Sequence, residues 1–184
     1  MAVADEQAPT DGVSLGGIDG LDGMRFNDDG SIGIGAMTRL TDIADHEELR
    51  QRCPGLAAAA AEVGSPQLRN QGTLGGSLCQ KPRCWYYRGD FDCLRKGGDR
   101  CFAIPGENQF HCILGGTSCV IVHPSDTAPA LIALDAEVAI SGPEGHHRMP
   151  VADLHVPPSE DPTRETRLGL RPRRLRAGAE LRRR

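Results

Sequence analysis

The sequence predicts an α+β fold, a mixed or antiparallel sheet with flanking helices and one long cysteine-rich loop. Short helical patterns alternate with short strand patterns, and the strands pair as hairpins more readily than as crossovers. The composition is turn-rich, with 23 Gly, 13 Pro and 4% aromatic residues, so loops take a large share of the chain. A length of 184 residues suits one domain with an apolar core and falls short of two.

In chain order, residues 1–11 read as disordered, and Val13–Ile18 as a short strand. Ile32–Met37 alternates apolar with small residues, the pattern of a strand packed closely against another element. Thr41 or Asp42 caps a helix running to about Arg52, with Asp45, Glu47 and Glu48 early and Arg50 and Arg52 late, matching the helix dipole. Pro54-Gly55 ends that helix, and the alanine run predicts another over Leu56–Val63. Further on, Ser118–Val122 reads as a buried strand, and His123-Pro124-Ser125-Asp126 as a turn and cap for a helix over Thr127–Leu134. Glu137–Ser141 and Arg148–Val151 complete a hairpin around Gly142-Pro143-Glu144-Gly145.

Two motifs carry chemistry. Gly72-Thr73-Leu74-Gly75-Gly76-Ser77 joins a Gly-Gly pair to two hydroxyls, a combination whose free N–H groups suit a phosphate or pyrophosphate. It lacks the spacing of a Rossmann turn and the lysine of a P-loop, and taken alone it also fits a plain tight turn. Shortly after it come Cys84, Cys93, Cys101 and Cys119, with Cys112 between the last two. Eight, seven and seventeen residues separate the four, unlike the close pairs of zinc fingers. Thiolates at such intervals suit an iron–sulfur cluster, with zinc as the alternative. Arg88, Arg95, Lys96 and Arg100 supply positive charge to offset an anionic cluster. Cys53 and Cys79 have no evident partner and read as free, buried thiols.

Charge divides the chain unevenly. Residues 164–184 carry nine Arg against Glu165 and Glu180, while the remainder is acidic and the total is -4. Arg-Pro-Arg-Arg-Leu-Arg has neither aromatic interleaving nor apolar periodicity, so the tail reads as disordered and solvated rather than as a nucleic-acid arm. No stretch reaches the length of a membrane span, and Met-Ala-Val-Ala-Asp-Glu is not a signal-peptide start. The expectation is a cytoplasmic protein with reduced thiols, and with periplasmic location by co-export with a partner as the alternative.

Ser65-Pro66-Gln67-Leu68-Arg69-Asn70, the Thr73–Ser77 turn, Arg83-Cys84-Trp85-Tyr86-Tyr87-Arg88 and His123-Pro124-Ser125-Asp126 through Ala133-Leu134-Asp135-Ala136 follow one another in a familiar order. Together they resemble the FAD-binding medium subunit of the xanthine dehydrogenase and aldehyde oxidase family. The likeness is greatest to the subgroup carrying an extra [4Fe-4S] cluster, such as periplasmic aldehyde oxidoreductase and 4-hydroxybenzoyl-CoA reductase. It runs from about residue 12 to residue 166.

The resemblance implies the central part of a PCMH-type FAD-binding domain over 12–163, with the cluster loop at 84–119. It puts Thr73, Leu74, Gly75, Gly76 and Ser77 on FAD, with Ser125 and Asp126 as further contacts and Val63 packing near the cofactor. Ser77 stands where the family has Asn. The same likeness makes Cys84, Cys93, Cys101 and Cys119 the cluster ligands, with replacement of Cys119 by Cys112 left open. It implies an electron-transfer subunit with no catalytic acid–base group, partnered by a molybdenum-cofactor large subunit and a [2Fe-2S] small subunit. His46, His111, His123, His146 and His147 need no role in that picture. The family's preceding Gly-Gly subdomain and following C-terminal subdomain are not matched, as a truncated or frameshifted reading frame would explain. A structural zinc or cluster module, or a non-functional fragment, remain the alternatives.

Overall fold

The computed structural model describes residues 12, 14–142, 145–156 and 176–181. They divide between two compact units, one built mainly from 17–80 and 125–155 with the strand at 176–181, the other mainly from 81–124.

The larger unit holds an antiparallel sheet of five strands. These are β1 (Met24–Phe26), β2 (Ile32–Ile34), β3 (Glu137–Gly142), β4 (Gly145–Pro150) and β5 (Arg176–Leu181). Their spatial order is β1-β2-β5-β3-β4, with Met24 opposite Ile34, Ile32 opposite Leu181 and Val138 opposite both Met149 and Ala179. The turn between β1 and β2 is closed by side chains. Asp29 Oδ1 accepts from the Ser31 N–H at 2.9 Å and from its hydroxyl at 2.6 Å, and the Asn27 amide donates to Ser31 Oγ at 2.8 Å.

Helices α1 (Leu40–Asp45), α2 (Glu47–Arg52), α3 (Pro54–Ala61), α4 (Pro66–Gln71), α5 (Leu74–Leu78), α7 (Thr127–Ala133) and α8 (Val151–Leu154) belong to the same unit. α3 packs on α1, α2 and α7. Ile43, Leu49, Leu56, Ala60, Leu131, Val151 and Leu154 are inaccessible to solvent, joined by Ile32, Ile34, Val138 and Ile140 from the sheet. Removing this apolar surface from water is the main stabilising contribution of the unit.

The expected α+β class with an antiparallel sheet is what the chain adopts, with differences in detail. The helix expected to run unbroken to Arg52 is two helices. His46 turns extended between them, and its Nδ1 accepts from the Leu49 N–H at 3.3 Å to cap α2. Pro54 starts α3 instead of ending its predecessor, since proline has no N–H to lose in a first turn. Residues 14–18 form no strand, with a turn at 16–17, and Val13 lies outside the described residues. β4 begins at Gly145, earlier than expected, and Val151 opens α8.

Ser118–Val122 is not a strand. Despite its β-branched side chains no partner strand lies beside it among the described residues: the Val120 carbonyl accepts from the Cys112 N–H at 2.9 Å, and Val122 is 51% exposed. The tail expected to be disordered over 164–184 supplies β5 at its described part. β2 and β3 each present a row of backbone donors and acceptors, and a strand between them satisfies both rows. Residues 1–11, 157–175 and 182–184 lie outside the described residues.

The smaller unit is loop-rich. It contains α6 (Trp85–Arg88), a single 3-10 turn at Leu94–Lys96 and a bridge pairing Cys93 with Arg100. Its apolar contacts are aromatic: Tyr86, Phe91 and Phe102 meet with centroids 5.0–6.4 Å apart, and the Arg100 guanidinium lies 4.6 Å from the Phe102 ring. A Cβ at Gly98 would collide with the Asp92 carbonyl, so glycine alone allows this loop to close. Among the described residues no helix is long and apolar enough to cross a membrane.

Candidate cysteine cluster and glycine turn

In the larger unit, Thr73 caps α5 and the Gly-Gly pair forms its first turn. The first four N–H groups of a helix have no intrahelical partner of the usual kind. Here the three that follow the Thr73 cap are engaged, and Ser77 makes the helix's own first bond. Leu74 donates to the Thr38 carbonyl at 3.0 Å, Gly75 to the Ala36 carbonyl at 2.8 Å, Gly76 to Thr73 Oγ1 at 3.2 Å and Ser77 to the Thr73 carbonyl at 2.8 Å. Within the turn, the N–H groups of Leu74, Gly75 and Gly76 thus already have partners in the fold. Two of its donors are held by carbonyls that come from the segment after β2.

The role of Gly75 is close packing. A Cβ there would sit 3.0 Å from both the Cβ and the carbonyl oxygen of Ala36, forcing the two segments apart. Gly76 is exposed, and Thr73 and Gly75 are partly so. Leu74 is buried in the core at 1% exposure.

Ser77 faces inward as well. Its hydroxyl lies 3.0 Å from those of Ser125 and Thr127, which are themselves 3.2 Å apart, and Ser125 Oγ accepts from the Ala128 N–H at 3.2 Å. A hydroxyl carries one donor and two acceptor sites, so three of them close a ring in which each O–H finds an acceptor. This buried ring ties α5 to the start of α7. Thr127 is the member that sequence reasoning missed, although its place two residues after Ser125, at a cap, marks it. Val63 is buried in the core, and Asp126 is exposed at the N-terminal end of α7. Of the residues expected to meet a flavin, Thr73, Gly75, Gly76 and Asp126 thus have surface to offer, whereas Val63, Leu74, Ser77 and Ser125 shape the scaffold.

In the smaller unit, Cys84, Cys93, Cys101 and Cys119 line one small cavity of about 10 Å³, together with Tyr87 and Arg95. Cys84 is the residue before α6, Cys93 precedes the 3-10 turn, and Cys119 is buried. Burial pushes the Cys119 thiol above its usual range; Cys101 and Cys84 push the same way, while the Ile121 N–H and the Arg95 guanidinium oppose it. Burial thus favours the neutral thiol over the thiolate at this position.

Of the cations expected to balance a cluster, buried Arg95 is the one at the cavity. Arg88 donates to the Pro82 carbonyl, Lys96 to the Gly89 carbonyl, and Arg100 stacks on Phe102. Cys112 is outside the cavity lining, with its N–H bonded to Val120. Cys53 is buried in the core of the larger unit, whereas Cys79 is exposed, so the expectation of burial fails for that residue. Among the described residues, no three His, Cys, Asp or Glu side chains converge tightly enough to chelate a single metal ion.

His111 is a residue to which the sequence reading gave no role. Its Nε2 lies 3.2 Å from Cys84 Sγ, and its position one residue before Cys112 was the available signal.

Comparison with known proteins is consistent in kind. The chain is 38% identical over 166 residues to the aldehyde oxidoreductase FAD-binding subunit PaoB of Escherichia coli K12, a match covering 88% of this chain and 52% of that protein. To the xanthine dehydrogenase FAD-binding subunit of Escherichia coli O157:H7 it is 25% identical over 140 residues, covering 76% of this chain and 34% of the relative. The fold is similar to that of carbon monoxide dehydrogenase from Hydrogenophaga pseudoflava, with a TM-score of 0.54, 22% identity, and coverage of 88% of this chain and 40% of that one. The chain spans about half the length of its aldehyde oxidoreductase relative and about a third of the xanthine dehydrogenase one. Residues 2–168, a longer stretch than the motifs alone delimit, match the family described as the FAD binding domain in molybdopterin dehydrogenase, and the chain belongs to that family.

Proposed function

We propose that this chain is the flavin- and iron–sulfur-binding electron-transfer part of a molybdenum hydroxylase-type oxidoreductase, with Cys84, Cys93, Cys101 and Cys119 as ligands of a [4Fe-4S] cluster. One observation carries the cluster half of this reading: the four thiols share a cavity with a buried guanidinium, and Cys112 is not among them. In such a cluster each thiolate takes its own iron, so the sulfurs stand well apart. A tetrahedral zinc site with bonds near 2.3 Å needs its sulfurs within roughly 4 Å of one another.

Family membership supports the flavin half. The surface near the glycine turn suits only part of the cofactor. Asp126 is a carboxylate able to accept from a sugar or ribityl hydroxyl, and it would repel a phosphate at the same spot. Gly76 has no side chain to hold a ring or ribityl chain away. The pyrophosphate accordingly falls to residues outside this turn. When bound, the flavin and the cluster supply one-electron chemistry. The residues named here bind them, balance their charge and keep them apart from solvent. The relatives are each called an FAD-binding subunit, which supports partner subunits for this chain; the partners proposed are a molybdenum-cofactor large subunit and a [2Fe-2S] small subunit.

Visible absorbance of the purified full chain, alone and with its co-expressed partners, tests the reading. A broad iron–sulfur band that Cys84→Ser abolishes, together with flavin peaks in the assembly, is expected. A colourless zinc protein, or a band untouched by Cys84→Ser, contradicts it.

A further inference from the structure

His111 stands outside the motifs that carry the family resemblance, yet its side chain meets a proposed cluster ligand, Nε2 to Cys84 Sγ at 3.2 Å. The contact is held from several sides. Glu107 N–H donates to the Tyr86 hydroxyl at 2.8 Å, and Trp85 Nε1 donates to the Glu107 carbonyl at 3.4 Å. His111 N–H donates to the Asn108 carbonyl at 2.9 Å, and the next residue, Cys112, donates to Val120 at 2.9 Å. Trp85 and Tyr86 follow Cys84 directly in α6, so the helix that presents the sulfur also fastens the segment that presents the imidazole. The Trp85 and Phe110 rings meet edge-on at 5.9 Å beside it.

The other ring nitrogen fixes the tautomer. Nδ1 is buried and has no hydrogen-bond partner. A buried N–H left without an acceptor costs more than a buried lone pair left without a donor. The neutral ring therefore carries its proton on Nε2, where sulfur can accept it, and leaves Nδ1 bare.

We propose that His111 is a positioning residue that donates its Nε2–H to the Cys84 sulfur and thereby raises the reduction potential of the cluster Cys84 holds. This rests on the ligand set proposed above. Adding an electron puts negative charge on the cluster and its thiolates. A donor aimed at one thiolate stabilises the reduced form more than the oxidised form, and hydrogen bonds to sulfur are among the features that set such potentials.

The test is an EPR-monitored redox titration of the full chain with its partners, comparing the parent with His111→Leu and His111→Gln. Leu removes the donor and Gln retains an N–H. The expected result is that His111→Leu keeps its iron and its spectrum but has an oxidised-to-reduced ratio about tenfold higher at a fixed potential, a downward shift of about 59 mV for one electron. His111→Gln should restore most of that shift. If Leu loses the cluster and Gln keeps it, the donor is again required. If both lose it, or if Leu leaves the potential in place, the tuning role is overturned. Cys84→Ser separates the two layers. An iron–sulfur signal that disappears in Cys84→Ser but keeps its potential in His111→Leu sinks the role of His111 alone, whereas a signal surviving Cys84→Ser, or absent from the parent, sinks the ligand set as well.

Discussion

The sheet-and-helix unit and the cysteine unit bury different chemistry. In the first, the side chains wholly removed from water are aliphatic, among them Ile43, Leu49, Leu56, Leu131 and Leu154. In the second the buried residues include Cys93, Cys119, Arg95, Ala103 and Tyr87, and no buried Leu, Ile or Val occurs between Lys81 and Pro124. Every Phe, Tyr and Trp of the chain except Phe26 lies between Trp85 and Phe110. A loop-rich segment of this size without an aliphatic core lacks the main driving force of folding, as small domains stabilised by metals do. The contrast teaches that the first unit is ordered by its own packing, and that the second has turns and ring contacts in place of such a core, to which the proposed cluster would add.

The contrast can be broken most sharply at the thiols. Cys119→Ser should abolish iron–sulfur absorbance and speed proteolytic cleavage within residues 84–119 at least about tenfold, while a fragment carrying the sheet unit survives. Equal cleavage rates in variant and parent would show that the cysteine unit needs no bound group for its order.

A core substitution should act in the opposite sense. Leu131→Ala, at a fully buried position in α7, should cost about 2–5 kcal/mol in urea denaturation and leave the iron–sulfur absorbance per folded molecule unchanged. Loss of absorbance at full folding would mean that the two units are not independent in this respect.

Ser77→Ala removes one member of the hydroxyl ring and should cost about 1 kcal/mol, read from the same denaturation curves. Because that hydroxyl points inward, flavin content of the assembly should not change. A variant that is stable and flavin-free would restore Ser77 to the list of direct contacts.

The smallest effect concerns pH. Burial holds His155 below the ordinary histidine value, with the hydrogen bond to the Leu78 carbonyl at 3.1 Å acting in the other direction. As pH falls through about 6.5 the unfolded chain takes up this proton first, so its stabilising contribution is full above that value. It declines below, until the folded His155 also protonates. Urea midpoints for the sheet unit should therefore drop on acidification through this window, and His155→Gln should flatten that part of the profile. An identical slope in the variant would assign the pH dependence elsewhere.

What the sequence disclosed and what it concealed follow a physical division. The start of α7 after Ser125-Asp126 and the β3–β4 hairpin depend on neighbouring residues and were readable to within a few positions, whereas α4 and α5, capped by Ser65 and Thr73, were not read as helices. β1 was not, because Met-Arg-Phe is three residues long and has no period to detect. β5 was hidden by its arginine-rich context, since its reason for forming lies in the unsatisfied edges of β2 and β3, far away in the chain. The same distance explains the glycine turn. Thr73–Ser77 looked like a set of free donors, and only the fold brings the Ala36 and Thr38 carbonyls to two of them. At the cysteines, the four residues picked from the resemblance share a cavity, whereas the contact of His111 with Cys84 spans a loop whose path no local pattern specifies.

Iron and acid-labile sulfide, measured per chain on anaerobically purified full-length protein, test the central claim most directly. The account predicts about four of each, falling together to near zero in Cys84→Ser. Stoichiometric zinc without sulfide, or four irons and four sulfides that persist in Cys84→Ser, would contradict it.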